Sequence, residues 1–144
     1  MSKDKRMSRT ILMLEHDDDE RYIAQSVFDE NHFDIKIQFV STSDQVFSYL
    51  LDCEKSKNRY PSLILLDYLA TPSNAVEILT DLKSDKKYSH IPVVVLSGTV
   101  KSDVIQECYL AGASSFIQKP AETHEAQSKV SSFVKYWFNT VELP

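Results

Sequence analysis

Short apolar runs alternate along this chain with segments in which apolar residues recur every three or four positions. The runs cover residues 10–14, 35–40, 63–66 and 93–96, and the short segment 114–117 also predicts a strand. None of them is long enough to cross a membrane, and apolar runs of this length predict strands buried in a sheet. Apolar and polar side chains alternate in 35–40, which predicts an edge strand with one better-buried side.

The segments between these runs predict helices, because apolar residues recur in them at helical spacing. Asn74 and Glu77 stand three residues apart at the start of one segment, which indicates a capped helix N-terminus. Gly112 follows another segment, where it suits a left-handed C-cap. Five strands that alternate with five helices imply right-handed crossovers and a parallel sheet covered on both faces, so the predicted fold class is α/β.

Composition and charge narrow the class of protein. The 144 residues predict a single domain over 10–144, without an output domain, after a disordered tail at 1–9 that holds a small basic cluster. A net charge of -5 and a pI near 5.3 argue against a nucleic-acid partner. No stretch approaches the roughly 18 apolar residues of a transmembrane helix, which argues against a membrane partner. Cys53 and Cys108 stand alone in predicted helices and predict reduced thiols and a cytoplasmic location.

Polar residues follow the predicted strands at the sheet edge where ligands bind in α/β folds. They are Glu15, His16 and Asp17 after the first strand, Asp67 at the end of the third, Ser97 after the fourth and Lys119 after the fifth. Taken alone, Asp67 suits a cap of the next turn equally well. Together, however, the clustered acids repel one another unless a hard divalent cation such as Mg²⁺ lies between them. A lysine and a hydroxyl group opposite them suit the binding of a phosphoryl group. The set therefore predicts a site for phosphoryl transfer.

Five short motifs in a fixed order make the pattern specific. They are Ile11-Leu12-Met13-Leu14-Glu15, Leu65-Leu66-Asp67, Val93-Val94-Val95-Leu96-Ser97, Ala111-Gly112-Ala113 and Lys119-Pro120. From about Thr10 onward the chain resembles a response-regulator receiver domain of the CheY-like type, and more narrowly the stand-alone receivers that serve phytochrome-type sensor kinases. The resemblance implies a flavodoxin-like (βα)5 three-layer sandwich with a five-stranded parallel sheet in the order 2-1-3-4-5.

The resemblance also implies roles for individual residues. Asp67 matches the aspartate that accepts a phosphoryl group from a phosphohistidine, giving an acyl phosphate. Ser97 matches the hydroxyl residue that bonds the phosphoryl oxygen, and Lys119 matches the lysine that pairs with it. Glu15 matches an acidic position that helps to hold Mg²⁺, and the backbone carbonyl of Leu69 falls where the family supplies a further ligand.

Further expectations concern switching and partners. The resemblance implies a switch formed by Ser97 and Phe116, and a cis peptide bond before Pro120 that aims Lys119 inward. The implied partners are a sensor histidine kinase or phosphotransfer protein and a downstream protein target. The apolar C-terminal helix region adds an expected homodimer contact. No enzymatic activity is expected beyond acceptance and loss of the protein's own phosphoryl group.

One departure from the family pattern bears on metal binding. His16 stands where the family has a second metal-binding aspartate, and imidazole is a poor ligand for Mg²⁺. Asp17 is the neighbouring carboxylate, but a shift of one residue along an extended strand end points its side chain elsewhere. A solvated histidine at the rim is the preferred interpretation of His16 over a transition-metal ligand. This departure favours an alternative, a pseudo-receiver that binds partners without metal-dependent phosphorylation.

Two other classes of protein use a similar acidic edge. A flavodoxin-like ligand binder needs a loop rich in glycine and hydroxyl side chains to wrap a phosphate, and the loop after the first strand lacks them. A metal-dependent phosphatase needs a general acid two residues after the nucleophile, where Leu69 stands. Both classes are therefore less favoured than the receiver.

Overall fold

The computed structural model describes residues 9–30, 34–120 and 122–144. Within them, five strands form one parallel sheet in the order 2-1-3-4-5, as predicted. The strands are β1 (Arg9–Leu14), β2 (Ile35–Val40), β3 (Leu63–Asp67), β4 (Val93–Ser97) and β5 (Ser115–Gln118). The strand β2 lies at an edge of the sheet, where its alternating pattern predicted it.

In the described residues, five α-helices connect and follow the strands. They are α1 (Asp18–Glu30), α2 (Ser43–Lys55), α3 (Ala75–Ser84), α4 (Ser102–Leu110) and α5 (Thr123–Val134). A π-helical turn, Lys135–Thr140, continues α5 toward the C-terminus. Across the described ranges, no helix is both long enough and apolar enough to span a membrane.

The sheet carries a separate apolar core on each face, because successive side chains of a strand point to opposite sides. Alternate residues of the central strands, such as Leu12 and Leu66, pack with α2, α3 and α4 on one face. Their neighbours, such as Ile11 and Leu65, pack with α1 and α5 on the other. The fold is therefore the flavodoxin-like three-layer sandwich that the family resemblance implied.

Local signals in the sequence set several helix ends. Asn74 caps α3 and forms a capping box with Glu77, in which each side chain accepts a hydrogen bond from the other residue's backbone at 2.9 Å. Gly112 follows α4 at a φ of +113°, in the left-handed region that favours glycine. Both predicted helix ends are confirmed. Residues 1–8 of the predicted tail lie outside the described residues, and Arg9 is the first residue of β1.

Candidate functional site

Parallel pairing brings the polar strand ends to one edge of the sheet. Leu14 of β1 pairs with Leu66 of β3, so Glu15 and Asp67 follow at the same level on neighbouring strands. Asp67 in turn pairs with Leu96 of β4. Ser97 pairs with Gln118 of β5, the residue immediately before Lys119. Residues that are as much as 104 positions apart in sequence therefore meet at this edge.

Lys119 lies at the centre of the site. Its Nζ is 3.0 Å from Glu15 Oε1, 2.9 Å from Glu20 Oε2 and 3.2 Å from Asp67 Oδ2. Glu15 and Asp67 are 1% and 5% exposed, so their ion pairs with Lys119 are shielded from water. Buried carboxylates are stable only when they are paired, and Lys119 provides that pairing.

Glu20 is a site residue that the sequence analysis did not identify. It belongs to an acidic run, 17–20, whose side chains are typical of a solvated helix start. Glu20 is the third residue of α1, and helical side chains lean back toward the helix N-terminus, which here adjoins the sheet edge. A signal was therefore present: the acid stands within the first turn of a helix that begins directly at the site.

The close contacts change the pKa values of the acids and the lysine. Burial, together with a hydrogen bond to Glu20, raises the pKa of Glu15 to about 7. Burial opposes ionisation of Glu20 as well, but its hydrogen bonds with Glu15 and Lys119 outweigh burial and lower its pKa. Burial likewise opposes charge on Lys119, whose pKa is nevertheless raised by its hydrogen bonds with Glu20 and Glu15. Of these three groups, Glu15 is therefore the one whose pKa lies near neutral pH.

An apolar cavity adjoins these charged groups. Glu15, Glu20 and Lys119 contribute to the wall of a cavity of about 210 Å³ between α1 and α5. Much of the remaining lining is apolar and includes Val130 and Phe133. An apolar wall solvates a carboxylate poorly, which accounts for the large effect of burial on Glu15.

The loop after β3 holds the Asp67 carboxylate. Its Oδ1 accepts a hydrogen bond from the backbone N–H of Leu69 at 3.1 Å, and its Oδ2 faces Lys119. The Leu69 side chain is exposed. The backbone therefore contacts one carboxylate oxygen of Asp67, and the lysine contacts the other.

His16 and Asp17 have different surroundings although they are adjacent. His16 Nδ1 is 4.0 Å from Asp67 Oδ2, and the His16 side chain is 68% exposed. Asp17 precedes α1, and its Oδ1 accepts a hydrogen bond from the backbone N–H of Glu20 at 3.0 Å. Asp17 thus caps α1, and its carboxylate is not among the clustered ligand atoms of the described residues.

Ser97 and Phe116 lie on the neighbouring strands β4 and β5. The Ser97 hydroxyl is buried; it donates to the Thr99 carbonyl at 2.8 Å and accepts from the Thr99 backbone N–H at 3.2 Å. Phe116 is half-buried against the core on the α2, α3 and α4 face. Its backbone N–H donates to the Tyr109 hydroxyl at 3.2 Å. In this state the Ser97 hydroxyl is therefore bound to its own loop.

The expected cis peptide bond before Pro120 is wrong. Among the described residues the cis bond is Thr71–Pro72, in the loop after β3, and the Lys119–Pro120 bond is not cis. The Lys119 backbone N–H donates to the Ser97 carbonyl at 2.8 Å, which continues the pairing of β4 with β5. This pairing directs the Lys119 side chain into the site, so a cis bond at Pro120 is not required for that orientation.

Three residues at this edge have the composition of a cation site. Single ligand atoms of Glu15, His16 and Asp67 all lie within 4.8 Å of one another. Two carboxylates suit a divalent cation, and the imidazole is a ligand that Mg²⁺ accepts poorly. The donor set therefore fits a divalent cation, and His16 is the member that departs from an all-oxygen site.

The family model and the related proteins all indicate the same family. A model of the response regulator receiver domain matches residues 11–131. The response regulator Rcp1 of Synechocystis sp. is 23% identical over 145 residues, which cover 100% of this chain and 99% of Rcp1. Receiver domains of this family bind Mg²⁺ and interact with histidine kinases and downstream targets. They are signalling regulators whose own chemistry is limited to their phosphorylation.

Solved structures agree with this assignment. The phosphorylated cyanobacterial phytochrome response regulator RcpA is 26% identical, with a TM-score of 0.86 over 95% of this chain and 99% of RcpA. The Mn²⁺-bound form of Rcp1 is 23% identical, with a TM-score of 0.84 over 94% of this chain and 99% of Rcp1, a likeness that shows the fold. The family match spans most of the chain and includes every residue of the charged cluster, so this protein belongs to the response regulator receiver domain family.

Proposed function

We propose that this protein accepts a phosphoryl group on Asp67 from a histidine kinase or phosphotransfer protein and relays the signal by protein contact. The observation that carries the proposal is the contact between Asp67 Oδ2 and Lys119 Nζ at 3.2 Å, at the carboxyl end of a buried strand. An ammonium group that is already in place beside a carboxylate can stabilise the negative charge of a phosphoryl group bonded to that carboxylate, without help from water. The functional unit is residues 10–144, acting in the cytoplasm.

In the proposed reaction an Asp67 carboxylate oxygen forms a bond to phosphorus while the bond from phosphorus to the partner's imidazole nitrogen breaks. Lys119 stabilises the negative charge that the phosphoryl group brings. The Leu69 N–H keeps one carboxylate oxygen in place while the other faces Lys119. The protein therefore contributes orientation and charge neutralisation.

A divalent cation fits this scheme. Glu15 and Asp67 are the carboxylates that would hold it, and His16 borders the same position. The family resemblance adds the Leu69 backbone carbonyl as a further ligand. When bound, the cation supplies further positive charge beside the transferred phosphoryl group. Asp17 is not included in the proposed ligands because its carboxylate caps α1.

Transmission of the signal is assigned to Ser97 and Phe116. Ser97 would exchange its bonds within the 97–99 loop for a bond to the phosphoryl oxygen, and Phe116 would repack as β4 and β5 adjust. The surface of α4, β5 and α5 would then change for a downstream partner. A homodimer through the C-terminal helix region stays a prediction.

A second candidate function follows from one residue. His16 replaces a carboxylate next to Asp67, and this weakens the electrostatic attraction of the site for Mg²⁺. The alternative is a pseudo-receiver that keeps the same surface and binds partners without metal-dependent phosphorylation.

The test of the main proposal is phosphorylation by a small acyl-phosphate donor in the presence of a divalent cation. Intact-mass spectrometry of the full chain is expected to show one phosphoryl group that is stable in acid, lost in base and absent from Asp67→Asn. Asp81→Asn is the matched control, because Asp81 is an exposed acid on α3 outside the site. The control variant should be labelled like the wild type.

The outcomes separate the two candidates. Labelling of the wild type that persists in Asp67→Asn would exclude Asp67 as the acceptor. An unlabelled wild type with any divalent cation, together with a labelled His16→Asp variant, would establish the pseudo-receiver and exclude the main proposal.

A further inference from the structure

His16 lies close to the two carboxylates of the cation site, at a distance too long for a hydrogen bond to Asp67. Its Nδ1 is 4.0 Å from Asp67 Oδ2, beyond hydrogen-bond range. The side chain is 68% exposed, so it can adjust its position at little cost. A nitrogen donor and two carboxylates with ligand atoms within 4.8 Å of one another form a mixed set of ligands.

A mixed set of this kind discriminates between metals. Mg²⁺ favours oxygen ligands and loses water reluctantly, so exchanging a carboxylate for an imidazole weakens its binding. Imidazole is a good ligand for Ni²⁺ and Zn²⁺, and carboxylates serve these ions as well, whereas Mn²⁺ lies closer to Mg²⁺ in its preference for oxygen ligands. Exchanging a carboxylate for an imidazole therefore weakens the binding of Mg²⁺ more than the binding of a transition-metal ion that accepts nitrogen ligands.

We propose that the site formed by Glu15, His16 and Asp67 selects divalent transition-metal ions over Mg²⁺, with His16 as the ligand that decides the preference. The role of the bound cation in phosphoryl transfer rests on the proposed function. The metal preference itself does not, because an ion can bind without phosphorylation of Asp67.

Lys119 limits the affinity of the site for any cation. Its Nζ contacts the carboxylates of both Glu15 and Asp67, so a bound ion must share them with an ammonium group. Mg²⁺ depends on charge attraction, whereas a transition-metal ion gains additional bonding from the imidazole nitrogen. The competition therefore weakens Mg²⁺ binding more than the binding of a transition metal.

The test measures dissociation constants for Mg²⁺, Mn²⁺ and Ni²⁺ by calorimetry on the full chain without a histidine tag. Many sites prefer Ni²⁺ to Mg²⁺, so the decisive quantity is the ratio of the two constants in the wild type compared with that in His16→Asp. We expect the preference for Ni²⁺ to fall by about tenfold or more in His16→Asp. Mn²⁺ should shift in the same direction by a smaller factor.

His90→Asp is the matched control. His90 is exposed and precedes β4, at the opposite edge of the sheet from His16. The same change of residue type at this position should leave the ratio unchanged. An equal loss of preference in His90→Asp would overturn the proposal, because it would show binding to surface histidines in general.

A second measurement avoids substitution at the site. Substoichiometric Mn²⁺ should broaden the imidazole NMR signals of His16 before those of His90 in the wild type. Unbroadened His16 signals, or a metal ratio that does not change in His16→Asp, would leave His16 as a solvated histidine and refute the proposal. Neither measurement uses phosphorylation of Asp67, so a failure here is distinguishable from a failure of the proposed function.

Discussion

At the scale of single residues, competition for Lys119 is the feature with the clearest consequence. An ammonium group has three hydrogens, and Glu15, Glu20 and Asp67 each lie within 3.2 Å of the Lys119 Nζ. A phosphoryl group on Asp67 would need a share of that ammonium. Glu20 has a lowered pKa and stays ionised, so it competes with the phosphoryl oxygens for Lys119.

We therefore predict that Glu20→Gln accepts a phosphoryl group from a small donor faster than the wild type does. The substitution removes a competing charge that is partly exposed, an interaction of the kind that contributes up to about 1 kcal/mol. This corresponds to an increase of about two- to fivefold in the rate constant of labelling. Intact-mass spectrometry over a time course measures that rate constant.

Asp19→Asn is the control for Glu20→Gln. Asp19 precedes Glu20 in the first turn of α1, is exposed, and makes no ion pair with Lys119 in the described part of the chain. Asp19→Asn removes one negative charge from the first turn of α1, as Glu20→Gln does. The two variants therefore change the net charge and the interaction with the helix dipole in the same way. A faster Asp19→Asn variant, or an unchanged Glu20→Gln variant, would contradict the assigned competition.

At the scale of elements, helix starts determine the shape of the loop that follows Asp67. Asn74 caps α3 at the end of this loop, and the Ala75 N–H donates to the Tyr68 carbonyl. The loop is also tied to the start of α2, because Ser73 N–H donates to Ser43 Oγ at 3.0 Å. By contrast, Lys101 precedes α4 without a side-chain capping bond. The cap of α3 therefore supports the site as well as the helix.

We predict that Asn74→Ala lowers the free energy of unfolding by about 1 kcal/mol, the usual cost of losing an N-cap. Urea unfolding followed by circular dichroism measures the change. Lys101→Ala is the control, and it should change stability by less than about 0.5 kcal/mol because no capping bond is lost. Equal losses in the two variants would show that the capping box contributes nothing specific.

At the scale of the whole molecule, the charged site depends on the folded sheet. Glu15, Glu20, Asp67 and Lys119 come from four different segments, and unfolding returns each to water. Because Glu15 has a pKa of about 7 in the folded protein and an ordinary value of 4.5, the folded state binds more protons than the unfolded state between these pH values. Stability and protonation of the site are therefore linked.

This linkage predicts that the free energy of unfolding falls as the pH rises from about 5 to about 7 when divalent cations are removed by a chelator. Across that window Glu15 stays largely protonated in the folded protein and ionises in the unfolded chain. The lowered pKa of Glu20 acts below 4.5 and the raised pKa of Lys119 above 10.5, so neither sets the sign in this window. Urea unfolding at several pH values measures the slope.

Glu15→Gln provides the comparison, because glutamine resembles the protonated carboxyl group and does not titrate. Its unfolding free energy should depend less on pH over the same window. A wild-type stability that rises toward neutral pH, or an unchanged slope in Glu15→Gln, would rule out burial of Glu15 as the cause.

Much of the architecture followed from the sequence because it depends on local patterns. Short apolar runs predicted the strands, and the polar residues that follow them predicted the edge at which Asp67, Ser97 and Lys119 lie. The resemblance of five motifs implied the strand order. Asn74 and Gly112 marked helix ends correctly, since capping depends on neighbouring residues. The family assignment rested on the same motifs and is confirmed.

The tertiary structure decided which groups touch within that edge. In the folded protein Glu20 contacts Lys119, and Asp17 caps α1. His16 lies near Asp67, and the cis peptide bond is Thr71–Pro72. These features depend on how α1 and the loops pack against the sheet, and on the competition of several acids for one ammonium group. Sequence spacing specifies the strand ends, whereas distances of 3 to 4 Å between side chains depend on that packing.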